Sequence, residues 1–163
     1  MIFINIKSKV KYYIIWIGVS LGVGALAAFI TRNNMNIYES VNAPSLAPPA
    51  ILFPIVWSVL YILMGISAAM IYTDTSSSLE KREKALSVYV ISLFFNFFWS
   101  IIFFNLQNFI FAFVWLVILW ALVFLTIALY FKIKKITAYL QIPYLIWVTF
   151  AGYLNLSIAL LNQ

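Results

Sequence analysis

The sequence predicts an all-α polytopic membrane protein, a single bundle of five transmembrane helices, and three observations lead there. Hydrophobic residues make up 66% of the 163 and charged residues only 9%, with a mean hydropathy of +1.06. Soluble domains carry about 25% charged residues, so most of this surface cannot face water. Apolar stretches long enough to cross a hydrocarbon core of about 30 Å, roughly 20 residues as a helix, recur five times. The remaining charges gather between those stretches and not within them.

The first expected helix covers 12–30 and is preceded by Lys7, Lys9 and Lys11. It carries Gly18-x-x-x-Gly22, a spacing that lets membrane helices approach closely, either within the bundle or at a dimer face. The same segment also fits a cleavable signal peptide ending at Ala25-Leu26-Ala27, and cleavage would leave four helices. A polar loop over 31–48, stiffened by Pro44, leads to the second helix at 49–73. Pro48-Pro49 suits a helix start, because proline at the first helical position gives up only an N–H that has no partner there. Pro54 is expected to kink this helix. The third helix, 85–106, follows Lys81, Arg82 and Lys84; the fourth, 109–131, follows the short Gln107-Asn108 break. The fifth, 136–161, follows Lys132, Lys134 and Lys135 and contains Pro143, which frees the carbonyl of Tyr139.

Short connections force neighbouring helices antiparallel, which puts the two termini on opposite sides. Nine of the ten basic residues then fall on one side, with Arg32 alone on the other. The positive-inside rule makes the N-terminus cytoplasmic and places the 31–48 loop and the C-terminus outside. Topology and attraction to anionic lipid account for the net charge of +6, so no nucleic-acid partner is expected. The chain has no cysteine and no histidine, which excludes disulfides, thiolate chemistry and sites for Zn, Fe–S or His-ligated haem. Four acidic residues are too few for a calcium cage, and no metal site is expected. None of the five stretches holds an ionisable Asp, Glu, Lys, Arg or His. That weighs against proton-coupled export and ion pumping, and it leaves no serine with an activating base.

Aromatics and amides recur at helical spacing inside the stretches. Phe53, Trp57 and Tyr61 share a face of the second helix, and Asn96, Trp99, Ser100 and Phe103 a face of the third. Tyr144, Trp147, Ala151, Leu154 and Asn155 do the same on the fifth. Core packing would produce such stripes. So would pocket walls, which combine apolar faces with a few polar anchors. Trp57 and Trp147 lie deep in their spans, where each indole N–H needs an acceptor or a ligand. Asn96 and Asn155 pose the same demand, since an unpaired amide there costs about 1–3 kcal/mol.

Three segments carry a resemblance. The first combines Tyr38, Pro44, Pro48-Pro49, Phe53, Trp57, Tyr61 and Met64-Gly65; the second is FNFFWSIIFF from Phe95 to Phe104; the third is PYLIWVTFAGYLN from Pro143 to Asn155. In this order they resemble the signature of the TspO/MBR family, the tryptophan-rich sensory or translocator proteins. The resemblance implies a five-helix bundle, a homodimer, and binding of tetrapyrroles such as protoporphyrin IX and haem as ligands, with no obligate cofactor. It implies that Tyr38 covers the ligand from the first loop while Trp57, Tyr61, Asn96, Phe103, Trp147, Ala151 and Leu154 line the pocket. Trp57 and Trp147 match the tryptophans tied in bacterial members to light-dependent porphyrin breakdown, which makes them the candidate catalytic residues. Two family positions differ: Ile37 stands where a tryptophan is common and Ala43 where a lysine is. That leaves Arg32 as the nearby cation for a propionate. No basic residue follows Tyr153, so the weak cholesterol-type pattern is missing. Two rival readings are a tetrapyrrole carrier across the membrane and a structural or regulatory membrane partner. Usage rich in isoleucine, asparagine and lysine hints at a low-GC bacterium, whose membrane would be the plasma membrane.

Overall fold

In the computed structural model, which describes residues 6–35, 37–42 and 44–162, the chain is 85% helical. The side chains of residues 6–8, 38 and 39 lie outside that description. Helix α1 spans Ile6–Thr31, α2 Ile37–Ser40, α3 Leu52–Tyr72, α4 Leu79–Ser100, α5 Phe109–Ile133 and α6 Lys135–Leu161. Among the described residues there is no strand, and five helices (α1, α3, α4, α5 and α6) are long and apolar enough to cross a membrane. The chain is an integral membrane protein built as the expected helical bundle.

Helix ends and apolar-stretch ends do not coincide, and the differences have causes. Lys9 and Lys11 lie within α1, and Glu80 to Lys84 form the first turns of α4, not a connection. Charge ends the membrane-embedded part of a helix, not its backbone hydrogen bonding. At α3 the expectation fails in the other direction. Pro48 and Pro49 lie ahead of the helix in a turn closed by the Leu52 N–H donating to the Pro49 carbonyl at 2.9 Å. Pro54 then falls in the first turn of α3, where N–H groups have no intrahelical partner. It removes no hydrogen bond, so the expected kink has no cause. Pro143 is inside α6.

Backbone contact between α1 and α3 is made at Gly65. A Cβ at Gly65 would lie 2.5 Å from the Ile17 Cα and 2.9 Å from the Trp16 carbonyl oxygen, so the two backbones touch there. Gly18 and Gly22, by contrast, face outward with open space beside them. The α5–α6 hairpin turns at Lys134, whose N–H donates to the Tyr130 carbonyl at 2.8 Å, and closes up where Gly152 faces Leu116. The Trp115 indole N–H donates to the Phe95 carbonyl at 2.8 Å and joins α4 to α5.

Contacts define two ends. At one, Tyr12 and Trp16 of α1 pack on Tyr72 of α3, with ring centroids 4.6 and 6.0 Å apart. The described basic residues other than Arg32 are on the helix turns of this end. At the opposite end, the Asn34 amide donates to the Asn105 side chain at 2.8 Å. The 35–51 loop crosses to the C-terminus of α6, where Asn42 and Asn162 bond reciprocally. The Asn42 N–H donates to the Asn162 side-chain oxygen at 2.9 Å, and the Asn162 amide donates to the Asn42 carbonyl at 3.1 Å.

Candidate functional site: an aromatic cavity beneath the loop

Under the loop, α1, α3, α4 and α6 separate around a cavity of about 110 Å³. Each helix contributes a different kind of wall. From α1 come small residues, Gly24, Ala27, Ala28 and Thr31, whose spacing keeps them on one helix face. Helix α3 supplies Phe53, Trp57 and Tyr61, one turn apart. Helix α4 supplies Trp99 and Ser100 and, beyond them, Phe103 and Phe104, while α6 supplies Trp147, Ala151, Leu154 and Asn155.

The wall from α4 is irregular for a reason. Residues Ile101–Asn105 form a π-helical turn, closed by the Leu106 N–H donating to the Ile101 carbonyl at 3.1 Å. Trp99 and Phe103, on either side of its start, stack with centroids 5.2 Å apart and planes 25° apart. Such turns cluster at functional sites.

Trp57 and Tyr61 stack at 5.4 Å with an interplanar angle of 27°. Trp147 meets the edge of Phe53 at 5.9 Å. The floor is held from below. The Tyr61 hydroxyl donates to the Asn96 side-chain oxygen at 2.6 Å, and the Asn96 amide donates to the Tyr144 hydroxyl at 2.9 Å. Three helices are thereby joined by buried neutral hydrogen bonds. In the wall, the Trp99 indole N–H donates to the Asn155 oxygen at 3.2 Å, and the Asn155 amide donates to the Phe109 carbonyl at 2.8 Å. One polar group is left over. Among the described residues, the Trp147 indole nitrogen is buried and has no acceptor.

Of the expected site residues, Trp57, Tyr61, Phe103, Trp147, Ala151 and Leu154 come together on this one cavity. Asn96 does not line it; this residue sits beneath Tyr61 and is satisfied by helix-to-helix bonds. Tyr38 falls in α2, and its side chain lies outside the described residues. Arg32 is turned back onto its own helix, its guanidinium 4.1 Å from the Phe29 ring centre and donating to the Phe29 carbonyl at 3.2 Å. Sequence reasoning overlooked the α1 wall. Its signal was available in the Gly24, Ala27, Ala28, Thr31 spacing, but small residues read equally well as ordinary helix packing. Gln107, in the α4–α5 connection, has a φ of 49°, which turns the chain sharply after Phe104. Among the described residues no cluster of acidic residues offers a metal site.

The TspO/MBR family profile matches residues 16–161. The Rhodobacter capsulatus protein CrtK is 39% identical over 125 residues, covering 77% of this chain and 78% of its own. The tryptophan-rich protein TspO of Chlorobaculum tepidum is 36% identical over 149 residues, 90% of this chain and 92% of that one. The human translocator protein is 28% identical over 136 residues, 83% and 80% of the two chains.

Proposed function

The chain belongs to the TspO/MBR family, and from that premise we propose that it holds a flat tetrapyrrole, protoporphyrin IX or haem, in the cavity beneath the loop. The observation that carries this reading is the Trp147 indole N–H, buried without an acceptor among the described residues in a wall of aromatic faces. An unpaired buried donor costs about 1–3 kcal/mol, and a ligand oxygen or nitrogen would recover it. Stacking faces and few anchors suit a planar amphiphile. The cavity of about 110 Å³ is smaller than the roughly 300–1,000 Å³ of drug-sized sites. Entry therefore requires the 35–51 loop and the first turn of α3 to swing away. A bound propionate would draw Arg32 off the Phe29 ring.

Tryptophan emission in detergent tests the reading. Protoporphyrin IX should quench it saturably in the micromolar range, and Trp57→Phe with Trp147→Phe should remove the saturable part. Unsaturable quenching that those substitutions leave unchanged overturns it.

A second reading concerns photochemistry, supported by two indoles, Trp57 and Trp147, on one cavity. Light-excited porphyrin takes an electron from an indole, with dioxygen as the terminal oxidant. Illumination in air should then bleach the bound porphyrin, illumination under argon should not, and the paired Trp→Phe variant should slow the bleaching. The carrier reading is less favoured, because the Tyr61–Asn96–Tyr144 hydrogen bonds close the floor; flux of porphyrin into liposomes would reinstate it. As for orientation, the basic end is assigned to the cytoplasm of a bacterial plasma membrane on charge alone. With no natural cysteine, Ser45→Cys should react with an impermeant maleimide on intact cells and Ser76→Cys should not.

A further inference from the structure

The basic end of the bundle carries a second concavity that tetrapyrrole binding does not use. It is an open groove of about 540 Å³ where α1, α3 and α4 meet, walled by Trp16, Tyr72, Leu86, Val90 and Ile91, with Glu83 at its polar end. Helix α4 gives it direction. Glu83 sits in the charged first turns, and Val90 and Ile91, both exposed, follow about two turns deeper in the apolar part of the span.

Two charges of opposite sign are adjacent in sequence here, Glu83 on the groove lining and Arg82 against the Tyr72 backbone of its wall. Among the described residues, no ion pair or hydrogen bond engages Glu83. Arg82 is fixed against the groove wall, its guanidinium donating to the Tyr72 carbonyl at 2.7 Å. Its Nε is nevertheless buried and lacks an acceptor among the described residues. An occupant needs a cation for the Glu83 carboxylate and the aromatic faces of Trp16 and Tyr72. It needs an anionic oxygen for Arg82, and an aliphatic tail to cover Val90 and Ile91. We propose that this groove is a binding site for a zwitterionic phospholipid with a primary ammonium headgroup, of the phosphatidylethanolamine type. Its phosphate lies on Arg82, its ammonium donates to Glu83 beside Trp16, and one acyl chain runs along α4. Phosphatidylglycerol has no cation for Glu83. Phosphatidylcholine has a cation but no N–H to donate to the carboxylate. The site is independent of the tetrapyrrole cavity, and either can fail alone.

The test uses the full chain in phosphatidylglycerol vesicles doped with one acyl-brominated lipid at a time, and reads tryptophan quenching. The contribution of Trp16 is the wild-type signal minus that of Trp16→Phe. Brominated phosphatidylethanolamine should quench this contribution about threefold to tenfold more than brominated phosphatidylglycerol at equal dose, as one cation–π contact plus one exposed ion pair would give. Glu83→Gln should bring the two lipids level. Equal quenching by both in the wild type, or an undiminished preference in Glu83→Gln, overturns the proposal. So does brominated phosphatidylcholine matching phosphatidylethanolamine. An unchanged thermal melt confirms that Glu83→Gln is folded; if it is not, the three-lipid comparison on the wild type decides.

Discussion

About two turns of α3 in from Tyr72, α1 and α3 run backbone against backbone at Gly65; towards the loop the same two helices part around Trp57 and Phe53 and leave a cavity. Both halves are rich in aromatic rings. In the basic half, inside the open groove, Tyr89 fills space: it is fully buried, bonds Ser20 through its hydroxyl at 2.6 Å, and packs on Tyr130 and Trp16. In the loop half, Trp57, Trp99 and Trp147 stand at the edge of unfilled space. Aromatic content therefore does not separate core from pocket. What does separate them is whether small residues let backbones touch, as at Gly65, or face rings that stand away, as at Ala27, Ala28 and Ala151.

The sharpest way to break this contrast is at Gly65. A methyl there meets the Ile17 Cα and N at 2.5 and 2.8 Å, and backbone cannot rotate aside. Gly65→Ala should cost at least the upper part of the roughly 1–3 kcal/mol typical of overpacking, read as a large drop in thermal unfolding temperature in detergent. Near wild-type stability would mean the helices are not locked together at this point.

Gly24 is the matched experiment in the other half. A methyl there runs into the Tyr61 ring, a side chain that borders free space. Gly24→Ala should cost less stability, about 1 kcal/mol, because the ring can move toward the cavity. That movement strains the Tyr61–Asn96 hydrogen bond and narrows the site, so porphyrin quenching should weaken at least as much as stability does. Lost stability with unchanged binding would sever Tyr61 from the cavity floor.

These two glycines also mark how far the sequence could be read. Five spans, their order and the concentration of charge at one end followed from apolar run length and lysine placement. Six of the eight expected site residues meet at one cavity because helical spacing fixes which side chains share a face. Asn96 was one layer too deep for that logic: a stripe gives the angle around a helix, not the distance from the axis of the bundle. Proline was misread at Pro54 because its effect depends on whether it falls in the first turn. The sequence places Pro48-Pro49 nearby, yet the helix begins only at Leu52. The π-helical turn at Ile101–Asn105 had no signal, since its residues are as apolar as those on either side.

A smaller effect is expected at the loop. The reciprocal bonds between Asn42 and Asn162 are exposed, so each is worth about 0.5–1.5 kcal/mol at most. Asn162→Ala should leave the unfolding temperature within a degree or two while speeding the onset of porphyrin quenching about twofold to tenfold. An unchanged onset rate would mean that entry does not pass beneath this clasp.

The smallest effect is expected at Gly18 and Gly22, and its smallness is informative. Nothing within 4 Å would meet a methyl at either position, and alanine is the better helix former by about 1 kcal/mol in water. For an isolated chain, the double Gly→Ala variant should be neutral or slightly stabilised. The family resemblance implies a homodimer, and close packing through this pair is how membrane helices commonly associate. If the dimer uses this face, the same variant will lower the dimer fraction in cross-linking or sedimentation while the monomer melts unchanged. A stable monomer with an intact dimer moves the interface to another helix. Gly65, against the Ile17 backbone, and Gly24, against the Tyr61 ring, would then be the glycines whose missing side chains α1 needs for contact with α3 among the described residues.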